Sequence, residues 1–173
     1  MDKYLIVVDM QKDFVDGSLG TAEAQQIVPA VRAKIEAHEG PVIFTRDTHG
    51  PDYLNTQEGR FLPVEHCLRG TEGWEIIREL RDLAARPGTL VIDKPSFGST
   101  VLAALLTEKR ESIAGVEIIG LCTDICVVSN ALMIKAALPE VPLSVDSACC
   151  AGVTPAKHEA ALETMRSCQI VIK

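Results

Sequence analysis

The chain is short of aromatic residues: one Trp, two Tyr and four Phe in 173 positions. Apolar residues still make up 47%, so the interior must be aliphatic, as in a sheet covered by helices. Positive charge is also in deficit. Seventeen Lys and Arg against 24 Asp and Glu leave a formal charge of −7, which argues against nucleic acid or an anionic membrane as the main partner. No run is long and apolar enough to span a bilayer, and the N-terminus enters strand-like sequence rather than a signal peptide. The expectation is a cytoplasmic protein. In that setting six Cys read as reduced thiols rather than a disulfide framework. The adjacent Cys149-Cys150 is not spaced like a zinc knuckle, and Cys67, Cys122 and Cys168 also have an ordinary reading as small semi-buried apolar residues. There is no repeat, low-complexity segment or evident linker, and the length suits one domain over residues 1–173.

What is present is an alternation of strand and helix patterns. Strands are expected at Leu5 to Val8, Val42 to Thr45, Leu90 to Ile92, Val116 to Leu121, Leu143 to Val145 and Ile170 to Ile172. Between them, helical spacing runs over Val28 to Ala37 with Pro29 in the first turn, Ile76 to Leu83, a stretch beginning Val101 to Leu106, Val127 to Leu138, and a helix opened by Thr154-Pro155. Six strands alternating with helices imply an α/β fold: a three-layer, doubly wound parallel sheet with right-handed crossovers. Arg46 to Gly73 has little periodicity, and loops of that length in a compact domain are usually functional.

Chemistry-bearing residues recur where the strands end. Asp9 closes the first, Lys94 closes the third, and Cys126 follows the fourth in Gly120-Leu121-Cys122-Thr123-Asp124-Ile125-Cys126. Singly, Asp9 or Lys94 has a bland reading, a charge leaving the core for water. Together they supply carboxylate, amine and thiol at the edge of a parallel sheet where active sites are built. With Thr123 and Asp124 as N-cap residues, Cys126 falls in the first turn of a helix, where the dipole and free N–H groups lower a thiol pKa. A carboxylate can take the thiol proton and deliver it to a leaving amine, and a lysine beside both orients the carboxylate and favours the thiolate.

The aperiodic stretch holds a second set. Asp47 and His49, two apart at a strand end, can share a cation, and Glu58 and His66 can complete the shell. Mixed carboxylate and imidazole ligands suit a divalent ion: Zn, Mn or Fe. The competing reading makes Asp47 and Glu58 solvated loop acids and His66 a packed loop residue. His38 reads as a surface residue at a helix end and His158 as surface or packing.

These segments carry a resemblance. Val7-Val8-Asp9-Met10-Gln11-Lys12-Asp13-Phe14, Thr45-Arg46-Asp47-Thr48-His49, Glu58-Gly59 with Leu62-Pro63, His66-Cys67-Leu68-Arg69-Gly70-Thr71, Lys94-Pro95-Ser96-Phe97 and Gly120 to Val127 resemble the isochorismatase-like cysteine hydrolases over nearly the full length. Within that group, Asp-x-His followed by His-Cys favours the nicotinamidases. The resemblance implies a catalytic triad of Asp9, Lys94 and Cys126, metal ligands Asp47, His49 and His66 with Glu58 added, and a cis peptide at Leu121–Cys122. It also implies an oxyanion hole from the N–H groups of Cys122 and Cys126, and an aromatic wall at Phe14 with Phe97 as a second pocket residue. The expected activity is hydrolysis of a small amide, nicotinamide to nicotinate, in NAD salvage. The expected cofactor is a divalent metal, Zn first, and a homo-oligomer is the common assembly. Many nicotinamidases carry Asp-Trp-His and a further His; here Thr48 stands between the ligands and no His intervenes before His66, which makes Glu58 the fourth ligand. Pro63 stands where several relatives place a Trp.

Two other readings use the same residues. One is an amidohydrolase acting on another small amide, ureido compound or carbamoyl amine with the same triad. The other is a non-enzymatic thiol redox or metal-binding protein, which leaves Asp9 and Lys94 unexplained.

Overall fold

The computed structural model describes residues 1–173. Six strands, β1 (Asp2–Val8), β2 (Val42–Asp47), β3 (Leu90–Lys94), β4 (Ile113–Leu121), β5 (Leu143–Ala151) and β6 (Val171–Ile172), form one sheet in the order β3-β2-β1-β4-β5-β6. Every neighbouring pair is parallel. This is the expected doubly wound fold. Seven α-helices connect the strands: α1 (Lys12–Val15), α2 (Ala22–Glu36), α3 (Gln57–Phe61), α4 (Arg81–Ala84), α5 (Thr100–Glu108), α6 (Val128–Ala137) and α7 (Pro155–Ser167). No helix is long and apolar enough to cross a membrane.

The aliphatic runs divide between the two faces because successive strand residues point oppositely. Leu5 and Val7 join Ile27, Val31 and Ile35 of α2 in one core. Tyr4, Ile6 and Val8 join Leu102 and Leu106 of α5, Ala131 and Ile134 of α6, and Leu162 and Met165 of α7 in the other. Both faces of the central strands are therefore buried, and the scarcity of aromatics follows from that packing.

Several boundaries differ from the expectation. Helix α2 starts six residues earlier than Val28, so Pro29 lies inside it rather than in its first turn. Thr21 is the true cap, accepting from Ala24 N at 3.0 Å, and the polar opening turn hides the start. In place of a helix over Ile76 to Leu83 the chain forms only a 3-10 turn, Arg78–Leu80, followed by the four-residue α4, which ends at Ala84. Strand β5 runs to Ala151, well beyond Val145, because Cys150 and Ala151 pair with Gly120 and Leu121 after a register shift. The opening of α7 is as expected: Thr154 caps Lys157 N at 3.2 Å, with Pro155 first in the helix.

Gly120 fixes the end of β4. It pairs with Val8 of β1 and has φ +115°, and a Cβ there would run into the Val8 carbonyl oxygen. Only glycine fits that approach. Gly120→Ala is expected to cost about 3 kcal/mol or more, lowering the thermal midpoint by more than about 6 °C. An unchanged midpoint would show that the two strands can separate there without penalty.

Candidate active site

The strand order reverses between β1 and β4, and their carboxyl ends open the crevice where ligands of doubly wound sheets bind. Asp9 leaves β1 with φ +48°, a left-handed conformation that Asp tolerates better than most residues. The turn aims its carboxylate back into the sheet, fully buried. Asp9 Oδ1 accepts from Thr45 Oγ1 at 2.7 Å. Asp9 Oδ2 lies 2.6 Å from Lys94 Nζ, yet takes no well-directed hydrogen bond. The ammonium spends its directed bonds on Ser96 O at 3.0 Å and Cys126 Sγ at 3.4 Å, and it lies 3.6 Å from Asp47 Oδ1. The structure thus brings together the carboxylate, amine and thiol that the sequence places at three strand ends.

The electrostatics reverse one expectation. Burial, and then the negative charge of Asp9, push the Cys126 thiol well above its ordinary pKa, with Lys94 pulling the other way. Burial likewise raises the Asp9 carboxyl against the pull of Lys94. Burial opposes the Lys94 charge, but Asp9, Cys126 and Asp47 outweigh it and hold the ammonium charged. Both directions favour the neutral thiol over a preformed thiolate at Cys126, beside an Asp9 oxygen with an open acceptor. The reason is tertiary packing: Cys126 is 4% exposed, and burial against a carboxylate overrides the helix-end effect.

The turn carrying Cys126 also differs. Leu121–Cys122 is cis as expected. Beyond it, Thr123–Val127 forms a single π turn, and α6 begins only at Val128. Thr123 and Asp124 are not caps; Cys122 stands at the N-cap position without a side-chain bond. Thr123 Oγ1 instead meets His158 Nδ1 at 2.7 Å, and Asp124 Oδ1 accepts from Val153 N at 2.9 Å. Both side chains are drawn to the start of α7, a long-range contact without a local sequence signal. All six cysteines are free thiols.

The second set also converges. Ligand atoms of Asp47, His49, Glu58 and His66 all lie within 4.8 Å of one another. His49 Nε2 is 2.9 Å and His66 Nε2 3.4 Å from Asp47 Oδ2, and each is 3.7 Å from Glu58 Oε1. His66 Nδ1 bonds to the Val64 carbonyl at 2.9 Å, which turns the Nε2 lone pair toward the cluster. Tyr53 packs on both imidazoles, its ring 4.7 Å from His49 and 4.9 Å from His66. Burial opposes ionisation of Asp47, but His49, His66 and Lys94 hold its carboxyl well below the usual range. Burial and Asp47 raise Glu58. Asp47 Oδ1 is buried without a hydrogen-bond partner. Two imidazole nitrogens and two carboxylates, all within 4.8 Å of one another, fit a divalent cation. Glu58→Gln is expected to weaken zinc binding at least about tenfold, read by competition with a chromophoric chelator; unchanged affinity would remove Glu58 from the set.

A cavity of about 260 Å³ joins the two sets. Cys122 and Cys126 line it, as do Asp47, Glu58 and His66, with Phe14, Phe97, Leu62 and Ile125 supplying apolar wall. Phe14 also packs against His66 at 5.5 Å between centroids. Leu19, Thr21, Val153 and Lys157 complete the wall; none of these four stands out in sequence. Two supporting residues are equally silent. Gln11 is fully buried and clamps the Asp47 backbone, Oε1 accepting from its N at 2.7 Å and Nε2 donating to its O at 2.8 Å. Thr45 holds Asp9. Both lie in segments that carry the resemblance, Gln11 two residues after Asp9 and Thr45 two before Asp47, and that is the one available signal.

The Isochorismatase domain family model matches residues 3–173. The chain is similar to the pyrazinamidase of Pyrococcus horikoshii, solved in complex with zinc: 28% identity, 100% of this chain and 99% of that one covered, TM-score 0.85. A nicotinamidase from Bacillus subtilis is 26% identical over 99% of this chain and 98% of its own, with TM-score 0.85. N-carbamoylsarcosine amidase from Thermoplasma acidophilum is 28% identical over 100% and 96%, with TM-score 0.80.

Proposed function

The chain belongs to the isochorismatase family, and on that premise we propose that it is an amidohydrolase converting nicotinamide to nicotinate and ammonia through a thioester on Cys126. The observation that carries this reading is the single cavity with the Cys126 thiol on one wall and Asp47, Glu58 and His66 on another. Its volume of about 260 Å³ falls below the range for drug-sized ligands and suits one small ring with its carboxamide. The similarity to a pyrazinamidase and a nicotinamidase supports the same substrate class, and with nicotinate as product the proposed role is NAD salvage.

Asp9 Oδ2, buried and without a directed donor, takes the proton of Cys126 as Sγ attacks the amide carbon. The C–S bond forms, and the carbonyl oxygen becomes an oxyanion received by the backbone N–H groups of Cys122 and Cys126. A donor of that kind contributes roughly 3–4 kcal/mol. Lys94 stays charged and holds the Asp9 carboxylate beside Sγ. Asp9 returns the proton to the amide nitrogen, the C–N bond breaks and ammonia leaves. Water then adds to the thioester carbon as Asp9 takes one of its protons; the C–S bond breaks, Asp9 returns that proton to Sγ, and the released acid ionises to nicotinate. A divalent ion held by Asp47, His49, Glu58 and His66, Zn by the donor set, would supply a Lewis acid for the pyridine nitrogen. Phe14, buried, and Phe97, partly exposed, flank the ring as the apolar walls of the cavity.

The similarity to N-carbamoylsarcosine amidase favours a second reading, a carbamoyl amine hydrolysed by the same triad. A substrate panel separates the two. The expected result is a kcat/KM for nicotinamide and pyrazinamide at least about a hundredfold above that for acyclic amides and N-carbamoyl amines, a gap of roughly 2.7 kcal/mol. The reverse order would establish the second reading.

A further inference from the structure

Asn130 lies in α6, one turn beyond Cys126, and is 1% exposed. Its Nδ2 donates to the Cys126 carbonyl at 2.8 Å and to the Phe97 carbonyl at 3.1 Å. Its Oδ1 accepts from Ser99 N at 2.9 Å. One buried carboxamide therefore joins two segments that the chain separates by nearly thirty residues. The first is the π turn bearing Cys126. The second is the loop leaving β3, which carries Phe97 on the cavity wall, takes a hydrogen bond from Lys94 through Ser96 O, and opens α5 at Ser99. Gly98 keeps this loop close to α6, since a Cβ there would meet the Met133 sulfur.

The bonding needs two donors and one acceptor in a plane, which a carboxamide supplies and a carboxylate does not. Loss of the group would leave the buried Cys126 carbonyl and Ser99 amide, and the part-buried Phe97 carbonyl, without this partner, a costly loss for the buried pair. We infer that Asn130 is a positioning residue: it sets the placement of Cys126 Sγ between Lys94 and the Phe97 wall. It touches neither substrate nor the reacting atoms, and its kinetic expression rests on the amidohydrolase reading.

The test uses Asn130→Asp, which keeps shape and acceptor but turns both donor contacts into carboxylate–carbonyl contacts, and Asn130→Ser as a milder second variant. Two readouts are taken on folded protein, with folding checked by a cooperative thermal melt. The first is kcat and KM on nicotinamide. The second is the rate of Cys126 alkylation by iodoacetamide, followed on the Cys126 peptide by mass spectrometry. A displaced nucleophile is expected to lower kcat by roughly ten- to a hundredfold, with KM changing less than about threefold, and to slow alkylation at least about fivefold. A residue that only stabilises the fold would lower the melting temperature and leave both rates of the folded variant within about twofold; that result overturns the inference. If Asn130→Asp does not fold, Asn130→Ser decides by the same criteria. If wild-type protein fails to hydrolyse nicotinamide, the substrate reading falls alone, and the alkylation rates still decide the role of Asn130.

Discussion

Cys126→Ala is expected to abolish ammonia release, with the fold and cation binding at Asp47, His49, Glu58 and His66 intact. The side chain is small and 4% exposed, so its loss leaves only a slight void. Besides its packing in the core, the side chain gives up the 3.4 Å hydrogen bond from Lys94, and the ammonium keeps Asp9 at 2.6 Å. Removal of a covalent nucleophile leaves only the catalysis that binding and oxyanion donors provide, and the drop in kcat is on the order of 10⁵ to 10⁶. Steady-state ammonia assays on the purified variant, with metal content measured alongside, check both halves. Turnover within about a hundredfold of wild type would rule out the thioester and leave a bound water as the nucleophile.

Lys94→Met is expected to destabilise the protein by about 3–5 kcal/mol. The ammonium lies in the interior between the carboxylates of Asp9, at 2.6 Å, and Asp47, at 3.6 Å, and Asp9 is fully buried. Removing the cation leaves uncompensated negative charge in a medium of low dielectric constant. Asp9 can relieve it only by taking a proton, and burial already raises its carboxyl pKa. A raised folded-state pKa means that the native state binds the extra proton, so this contribution is present at low pH and lost as pH rises. The deficit of Lys94→Met is therefore smaller at about pH 5 than at about pH 8. Adding Asp9→Asn should recover part of it, a coupling typical of groups in contact. Urea denaturation of the two single variants and the double variant supplies the cycle. A loss below about 1 kcal/mol with no pH dependence would mean that water reaches the pair and screens it.

Much of this centre is legible in the sequence because strands advertise their ends. Aliphatic runs such as Leu5 to Val8 stop where a charged residue appears, and parallel strands deliver those residues to one edge. Asp9, Lys94 and Cys126 are found that way, and Asp47 and His49 by their spacing of two. What stays hidden depends on distant partners. The Cys126 thiol is pushed up by burial under elements that no local window contains. Thr123 and Asp124 look like caps but bond to His158 and Val153. Gln11, Thr45 and Asn130 read as ordinary polar residues until the fold puts them against Asp47, Asp9 and Cys126. Pro29 misleads in the opposite direction: proline favours a first turn, yet α2 has already begun at Ala22.

The most direct test is ammonia release from nicotinamide by purified protein, before chelation, after chelation and after zinc is restored. Release is expected to fall on chelation and to return with zinc, through weaker substrate binding more than through loss of the nucleophile. Absence of release from folded, zinc-supplied protein would contradict nicotinamide as the substrate. Release indifferent to chelation would contradict the role given to Asp47, His49, Glu58 and His66.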